Sequence, residues 1–199
     1  MPGLKSINDF KSRLNGGGAR PNLFEVQLPA YPDALTASWT GELQKEFKFL
    51  CKTAALPASN VAAIEVPFRG KTLKVAGDRT FDVWTVTIIN DEDFGLRTAF
   101  EDWMRYINAH ETARGPSNPV DYQKDATVYQ LGRTVAGGGV ADGETEEAEY
   151  LKAYTFFGIF PTNISQIDLS YDSTDTIEEF TVEFQVQYWQ PGEIAAEDE

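Results

Sequence analysis

An antiparallel β-sandwich or barrel with one flanking amphipathic helix is the fold class this sequence predicts, a mainly β architecture of the α+β kind, and three observations carry it. Strand-type alternation comes first. From Phe180 the even positions read Phe180, Val182, Phe184, Val186 and Tyr188, while the odd ones read Glu179, Thr181, Glu183, Gln185 and Gln187. One face is therefore apolar and the other polar. Second, β-branched and aromatic runs recur at residues 23–28, 46–52, 64–69, 72–76, 80–89, 126–131, 154–160 and 164–171, separated by Pro, Gly and Asn signals. Third, one segment changes period: Leu96, Phe100, Trp103, Met104 and Ile107 fall on one stripe of a helix.

The strand from residue 180 covers a core on one side only, and the aromatic helix stripe supplies the missing cover. Asn90 or Asp91 is expected to cap the helix start, with Asp91, Glu92 and Asp93 in the favourable field of the helix dipole. Residues 15–20, 29–41 and 133–149 read as loops, the first and last with triple glycines. No internal repeat is visible, which sets solenoids and propellers aside. The expected organisation is a single domain over residues 1–189 that includes an N-terminal arm to residue 20, followed by a flexible acidic tail over 190–199.

The formal charge of -14 is concentrated. Residues 140–149 hold five acids and residues 190–199 four, neither with a base, a pattern of solvated segments more than of a binding surface. Groove-type nucleic-acid binding wants clustered Lys and Arg, which are not seen. No stretch approaches the ~20 apolar residues of a membrane span, and the first residues lack a signal-peptide pattern. A soluble cytoplasmic chain is expected. With Cys51 the only cysteine, no internal disulfide can form.

The catalytic inventory is thin. His110 is the only histidine and is expected at the helix C-terminus, where imidazoles commonly meet free carbonyls. Cys51 reads as a small buried residue within a strand. The spacing Asp168, Ser170, Asp172, Thr174, Thr176, Glu179 imitates a calcium loop, but Ser173 occupies the place of the required glycine and both flanks alternate as strands. A polar hairpin turn explains it. Gly137-Gly138-Gly139 lacks the Lys-Ser/Thr of a phosphate loop, and Asn163-Ile164-Ser165 would need export to be glycosylated. No catalytic, cofactor-binding or metal-binding residue is expected, and the chain does not read as an enzyme.

Three segments resemble the tail tube proteins of contractile-tailed bacteriophages. The first is Ala19-Arg20-Pro21-Asn22-Leu23-Phe24-Glu25-Val26 with the later run Cys51-Lys52-Thr53-Ala54-Ala55-Leu56-Pro57. The second is Val75-Ala76-Gly77-Asp78-Arg79-Thr80-Phe81-Asp82-Val83-Trp84-Thr85-Val86-Thr87, leading through Asn90-Asp91 to the helix with Trp103. The third is Gly158-Ile159-Phe160-Pro161-Thr162-Asn163, continuing through Asp168-Leu169 to Tyr188-Trp189. Together they span most of residues 19–189.

The resemblance implies hexameric rings of the chain itself, stacked into a tube inside a contractile sheath, in a virion assembled in the host cytoplasm. Its implied partners are the sheath protein, baseplate and tail terminator proteins, a tape measure protein in the lumen, and genomic DNA in transit without sequence-specific binding. Residues 56–79 resemble the family's extended hairpin or loop that reaches a neighbouring subunit. Leu56, Pro57, Lys71, Lys74, Gly77, Asp78 and Arg79 are the intersubunit candidates, with a turn expected at Gly77-Asp78-Arg79. A basic wall would hold a passing polyanion, so the polar face Glu179, Thr181, Glu183, Gln185 and Gln187 is the candidate lumen surface. Residues 31–41, 133–149 and the tail after Trp189 depart from the family's shorter members. Two alternatives accompany this reading: the tube of a secretion-type or bacteriocin-like contractile machine, and a carbohydrate-binding module suggested by Trp39, Trp84 and Trp189.

Overall fold

The computed structural model describes residues 7–14, 18–135 and 148–192. Among these residues nine strands run in chain order: β1 (Phe24–Gln27), β2 (Cys51–Ala54), β3 (Ser59–Phe68), β4 (Lys71–Phe81), β5 (Trp84–Ile89), β6 (Lys124–Val135), β7 (Ala148–Ile164), β8 (Glu179–Gln185) and β9 (Tyr188–Gly192). Helices α1 (Ile7–Arg13), α2 (Gly41–Leu50), α3 (Gly95–Ile107) and α4 (Pro119–Tyr122) are interspersed. Seven strands make one antiparallel sheet in the order β1-β6-β7-β8-β5-β2, with β9 paired to β7; β3 and β4 form a separate two-stranded ribbon. No helix among the described residues is long and apolar enough to cross a membrane.

Alternation builds the sheet as expected. In β8, Phe180, Val182 and Phe184 are fully buried while Glu179, Thr181, Glu183 and Gln185 face outward, and Trp84, Val86 and Ile88 of β5 join the same core. Strand β7 belongs to both halves of the sheet: residues 153–157 pair with β9 and residues 160–164 with β8. The changeover is at Gly158, whose φ of 63° only glycine adopts without strain, and whose N–H donates to Asp125 Oδ1 at 2.9 Å. The register against β6 slips at the same place, so the bend is a β-bulge.

The helix stripe is placed as its period predicts. Leu96, Phe100 and Trp103 of α3 are buried; Phe100 and Trp103 meet Phe184 edge-on at 5.8 and 6.4 Å. Its start differs from expectation. Asn90 and Asp91 do not cap it: the N-cap is Phe94 in the left-handed region with no side-chain cap, and Asn90 is buried with its amide donating to Glu178. His110 lies in an exposed turn just beyond the helix end.

Five other expectations are corrected. Residues 46–52 are not one strand: residues 46–50 complete α2, because Thr40 caps the helix through its hydroxyl and Leu43, Phe47 and Leu50 repeat at helical spacing. The structure therefore has a second substantial helix beside the sheet. Residues 29–41 are not mere loop, since the 3-10 turn Asp33–Leu35 brings fully buried Trp39 onto Phe100 and Trp103, and its indole N–H donates to Ala99 O at 3.2 Å. The run 80–89 is broken at Asp82 and Val83, where the β4 ribbon ends and β5 begins. Residues 165–171 are irregular; the strand ends at Ile164. The expected loop 133–149 is narrower, as Val135 pairs with Ala148, and its acidic stretch lies outside the described residues apart from residues 148 and 149, as do residues 193–199 of the tail and residues 1–6 and 15–17 of the arm.

Helix α2 sits across the opening between edge strands β1 and β2. Gln44 donates to the carbonyls of Leu28 and Pro29, and Lys48 pairs with the nearly buried Glu25 of β1 at 2.8 Å. That hydrogen bond holds the Lys48 ammonium above its usual pKa. The edge that would otherwise template another strand is thereby covered.

Two expectations follow. Gly158→Ala forces a β-carbon to within 2.7 Å of Gln187 Cγ at a positive φ, so denaturant unfolding should show a loss of about 1–3 kcal/mol. Pairing it with Gln187→Ala should recover only part, because the backbone strain stays. Cys51 is buried at the head of β2, and burial pushes its thiol up to about 12. A folded pKa above the unfolded value favours the folded state only while the unfolded thiol keeps its proton. Stability should thus fall as pH rises from about 9 towards 12, more steeply than in Cys51→Ala, and a thiol reagent at pH 8 should label Cys51 only after unfolding.

Candidate assembly surface

The β3–β4 ribbon projects from the sheet with nearly every residue exposed. Its turn is Arg69-Gly70, both at positive φ (46° and 82°), the signature of a two-residue type I′ connection. The expected turn at Gly77-Asp78-Arg79 is not there. Those residues lie inside β4, where the register slips opposite residues 61–63 and a β-carbon on Gly77 would meet Ala62 O at 3.0 Å. A glycine within a strand marks a bulge as readily as a turn.

Directly opposed residues share a face. Ile64/Val75, Val66/Leu73 and Phe68/Lys71 make one face of the ribbon, and Ala63/Ala76, Glu65/Lys74 and Pro67/Thr72 the other. The first is almost wholly apolar yet exposed: Phe68 is 67% and Leu73 62% accessible. Lys74 reaches Glu65 at 3.6 Å on the second. A two-stranded ribbon is marginal in water by itself, and an apolar face of this kind asks for a partner.

The root of the ribbon is well held. Trp84 Nε1 donates to Ala55 O at 3.1 Å, Trp189 Nε1 to Ala58 O at 3.1 Å, and Phe81 packs on the Trp189 ring. All seven intersubunit candidates lie on this projection or its root: Leu56 and Pro57 at the entry, Lys71, Lys74, Gly77, Asp78 and Arg79 along β4. Sequence reasoning missed the apolar face itself, although Ile64, Val66 and Phe68 alternate in plain view.

The polar face is largely as expected. Glu179, Thr181, Glu183 and Gln185 point away from the core beside Thr85 and Thr87 of β5, with the Thr181 and Thr87 hydroxyls 3.3 Å apart. Lys52 of β2 pairs with Glu179. Gln187 does not belong to this face: β8 ends at Gln185, Gln187 lies close against Gly158, and Tyr188 starts β9, exposed and stacked on Phe157.

Other chemical candidates separate. The calcium-like stretch lies in the exposed, irregular connection of the antiparallel β7–β8 hairpin, and among the described residues no group of three or more His, Cys, Asp or Glu is placed to hold a metal ion. A surface hollow of about 460 Å³ is lined by Leu35, Asp102, Arg105 and Tyr106, with Asp102 engaged by Ser38 and Arg105. Trp39 and Trp84 are buried, so they offer no sugar-stacking platform.

Comparison with known proteins agrees with this geometry. A family model described as phage tail tube protein matches residues 19–191. Tail tube protein gp19 of Enterobacteria phage T4 is 36% identical over 176 residues, covering 88% of this chain and 93% of that one. The tail tube protein of Serratia phage KSP90 is 27% identical over 189 residues, 94% of this chain and 96% of that one. Among solved structures, a chain of the sheath-tube complex of the extracellular contractile injection system PVC has the same fold, with a TM-score of 0.54 at 14% identity over 94% of this chain and 97% of that one. A chain of the anti-feeding prophage tube-terminating cap has a TM-score of 0.57 at 15% identity, over 87% of this chain and 90% of that one. The chain belongs to the phage tail tube protein family.

Proposed function

We propose that this chain is the structural, non-enzymatic subunit of the tube in a contractile phage tail, polymerising as stacked hexameric rings around a channel for genome ejection. The single observation that carries assembly is the exposed apolar face of the β3–β4 ribbon, which one copy leaves uncovered. A second copy of the chain can cover such a face, and closure of a ring by identical copies leaves no open strand edges. The sheath, terminator and baseplate are proposed partners because relatives of the same fold come from a sheath-tube complex, a sheath/tube terminator and a baseplate. A tape measure protein within the lumen completes the proposed assembly. The tail tube proteins that are 36% identical come from phages, which favours a phage tail over a secretion machine.

The channel wall is the proposed role of the outward face of β8. Glu179, Thr181, Glu183 and Gln185 offer carboxylates, hydroxyl and amide, and the neighbouring Lys52 is already paired. DNA carries one negative charge per about 1.7 Å of its axis, so a wall without free cations avoids condensing it.

Replacing residues 59–81 by a short Gly-Ser turn should leave a folded monomer with the core circular dichroism of the parent and no tubes in negative stain. Tubes of normal length from that variant would remove the ribbon from assembly. For the wall, Glu179→Lys with Glu183→Lys in particles that assemble normally should slow DNA ejection, with the delay shrinking as salt shortens the screening length. Unchanged ejection kinetics would place these residues away from the channel.

A further inference from the structure

The ribbon and the calcium-like stretch stand at opposite ends of the same strands. Both legs of the ribbon leave from the Trp84 end of β5, through Ala55 on one side and Asp82 on the other. Residues 165–178 connect β7 to β8 at the Ile89 end, where Asn90 N–H donates to Glu178 O at 2.8 Å and Ile89 lies opposite Glu179. Six residues of strand separate the two by roughly 17 Å.

Their surfaces are opposite in charge and alike in apolarity. Residues 59–81 carry Arg69, Lys71, Lys74 and Arg79 against Glu65 and Asp78, a net positive ribbon in a chain of charge -14. Residues 165–178 carry Asp168, Asp172, Asp175 and Glu178 and no base. That segment also exposes Leu169 (79%), Tyr171 (fully) and Ile177 (71%). No ion pair engages its four acids within the described residues, and on the ribbon only Lys74 has one.

We propose that the β3–β4 ribbon of one copy seats its apolar face on segment 165–178 of a second copy, with Arg69 of the turn and Lys71 of that face meeting acids of the set Asp168, Asp172 and Asp175. This deepens the reading of the ribbon as the connector and rests on it. Ten extended residues give the ribbon a reach of about 33 Å, enough to bridge to the far end of a neighbour. A donor at one end of a strand axis and its acceptor at the other make a head-to-tail contact, which repeats along a line instead of closing on itself as a pair. Such a contact is what stacking of one ring on the next requires.

Charge reversal in the full chain tests it. Asp172→Lys with Asp175→Lys, and separately Arg69→Glu with Lys71→Glu, should each raise the concentration needed for tube growth at least about tenfold, while the melting temperature of the unassembled chain stays put. All four changes on one chain should restore growth to near the parent concentration. Leu169→Ala with Tyr171→Ala should weaken growth at every salt concentration, marking direct contact instead of a long-range field. Growth of the Asp172→Lys, Asp175→Lys protein at the parent concentration overturns the proposed acceptor, even if the ribbon-deleted chain stays monomeric and the connector reading stands. Loss of growth that the combined reversal does not restore also overturns the pairing and assigns the segment to another partner such as the sheath. Tubes from the ribbon-deleted chain would sink both.

Discussion

Everything the molecule presents outward depends on one aromatic cluster inside it. Trp39, Phe100, Trp103 and Phe184 meet largely edge-to-face at 5.1 to 6.4 Å, tying the 3-10 turn, the long helix α3 and strand β8 together. Rings in that geometry contribute beyond the area they bury. Because β8 has a period of two, fixing Phe184 inward fixes Glu183 and Gln185 outward. Because β8 pairs in register with β5, it also fixes where the ribbon departs and where the acidic segment arrives.

How much of this the sequence displays follows from how local each cause is. The β8 alternation and the α3 stripe are legible because each strand or helix carries its own period. Helix α2 is not, since the run Phe47, Phe49, Leu50, Cys51 suits a strand on composition, and the deciding features are the Thr40 cap and the contact of Phe47 with Phe100. The Gly158 bend is hidden for a related reason. Nothing near it in sequence says that Asp125 and Gln187 will crowd one backbone. Parity along the strand puts Gln187 on the polar face, and the break between β8 and β9 that ends this parity is a tertiary event.

The candidate surface divides in the same way. That residues 56–79 project is suggested by their run of small, Pro and Gly residues and by family resemblance. Which face is apolar follows from the pairing of Ile64 with Val75 and Val66 with Leu73, a register set by a turn at Arg69-Gly70 that the sequence disguises with a more conspicuous glycine at Gly77. The segment with Asp172 and Asp175 looks like an ion-binding loop in one dimension. Its neighbours in three dimensions make it one end of a strand axis instead.

The marginal stability of a free two-stranded ribbon has a kinetic consequence. On the proposed ribbon contact, each incoming copy freezes its ribbon at the moment it binds, and the first few copies do so with few contacts in return. Nucleation in free solution is then expected to be slow, whereas a copy landing on a finished rim would find the proposed acceptors already arrayed and immobilised. Growth then proceeds from a template and the pool of unassembled copies persists beside it, so tube number is set by how many starting platforms exist and not by how much subunit has been made.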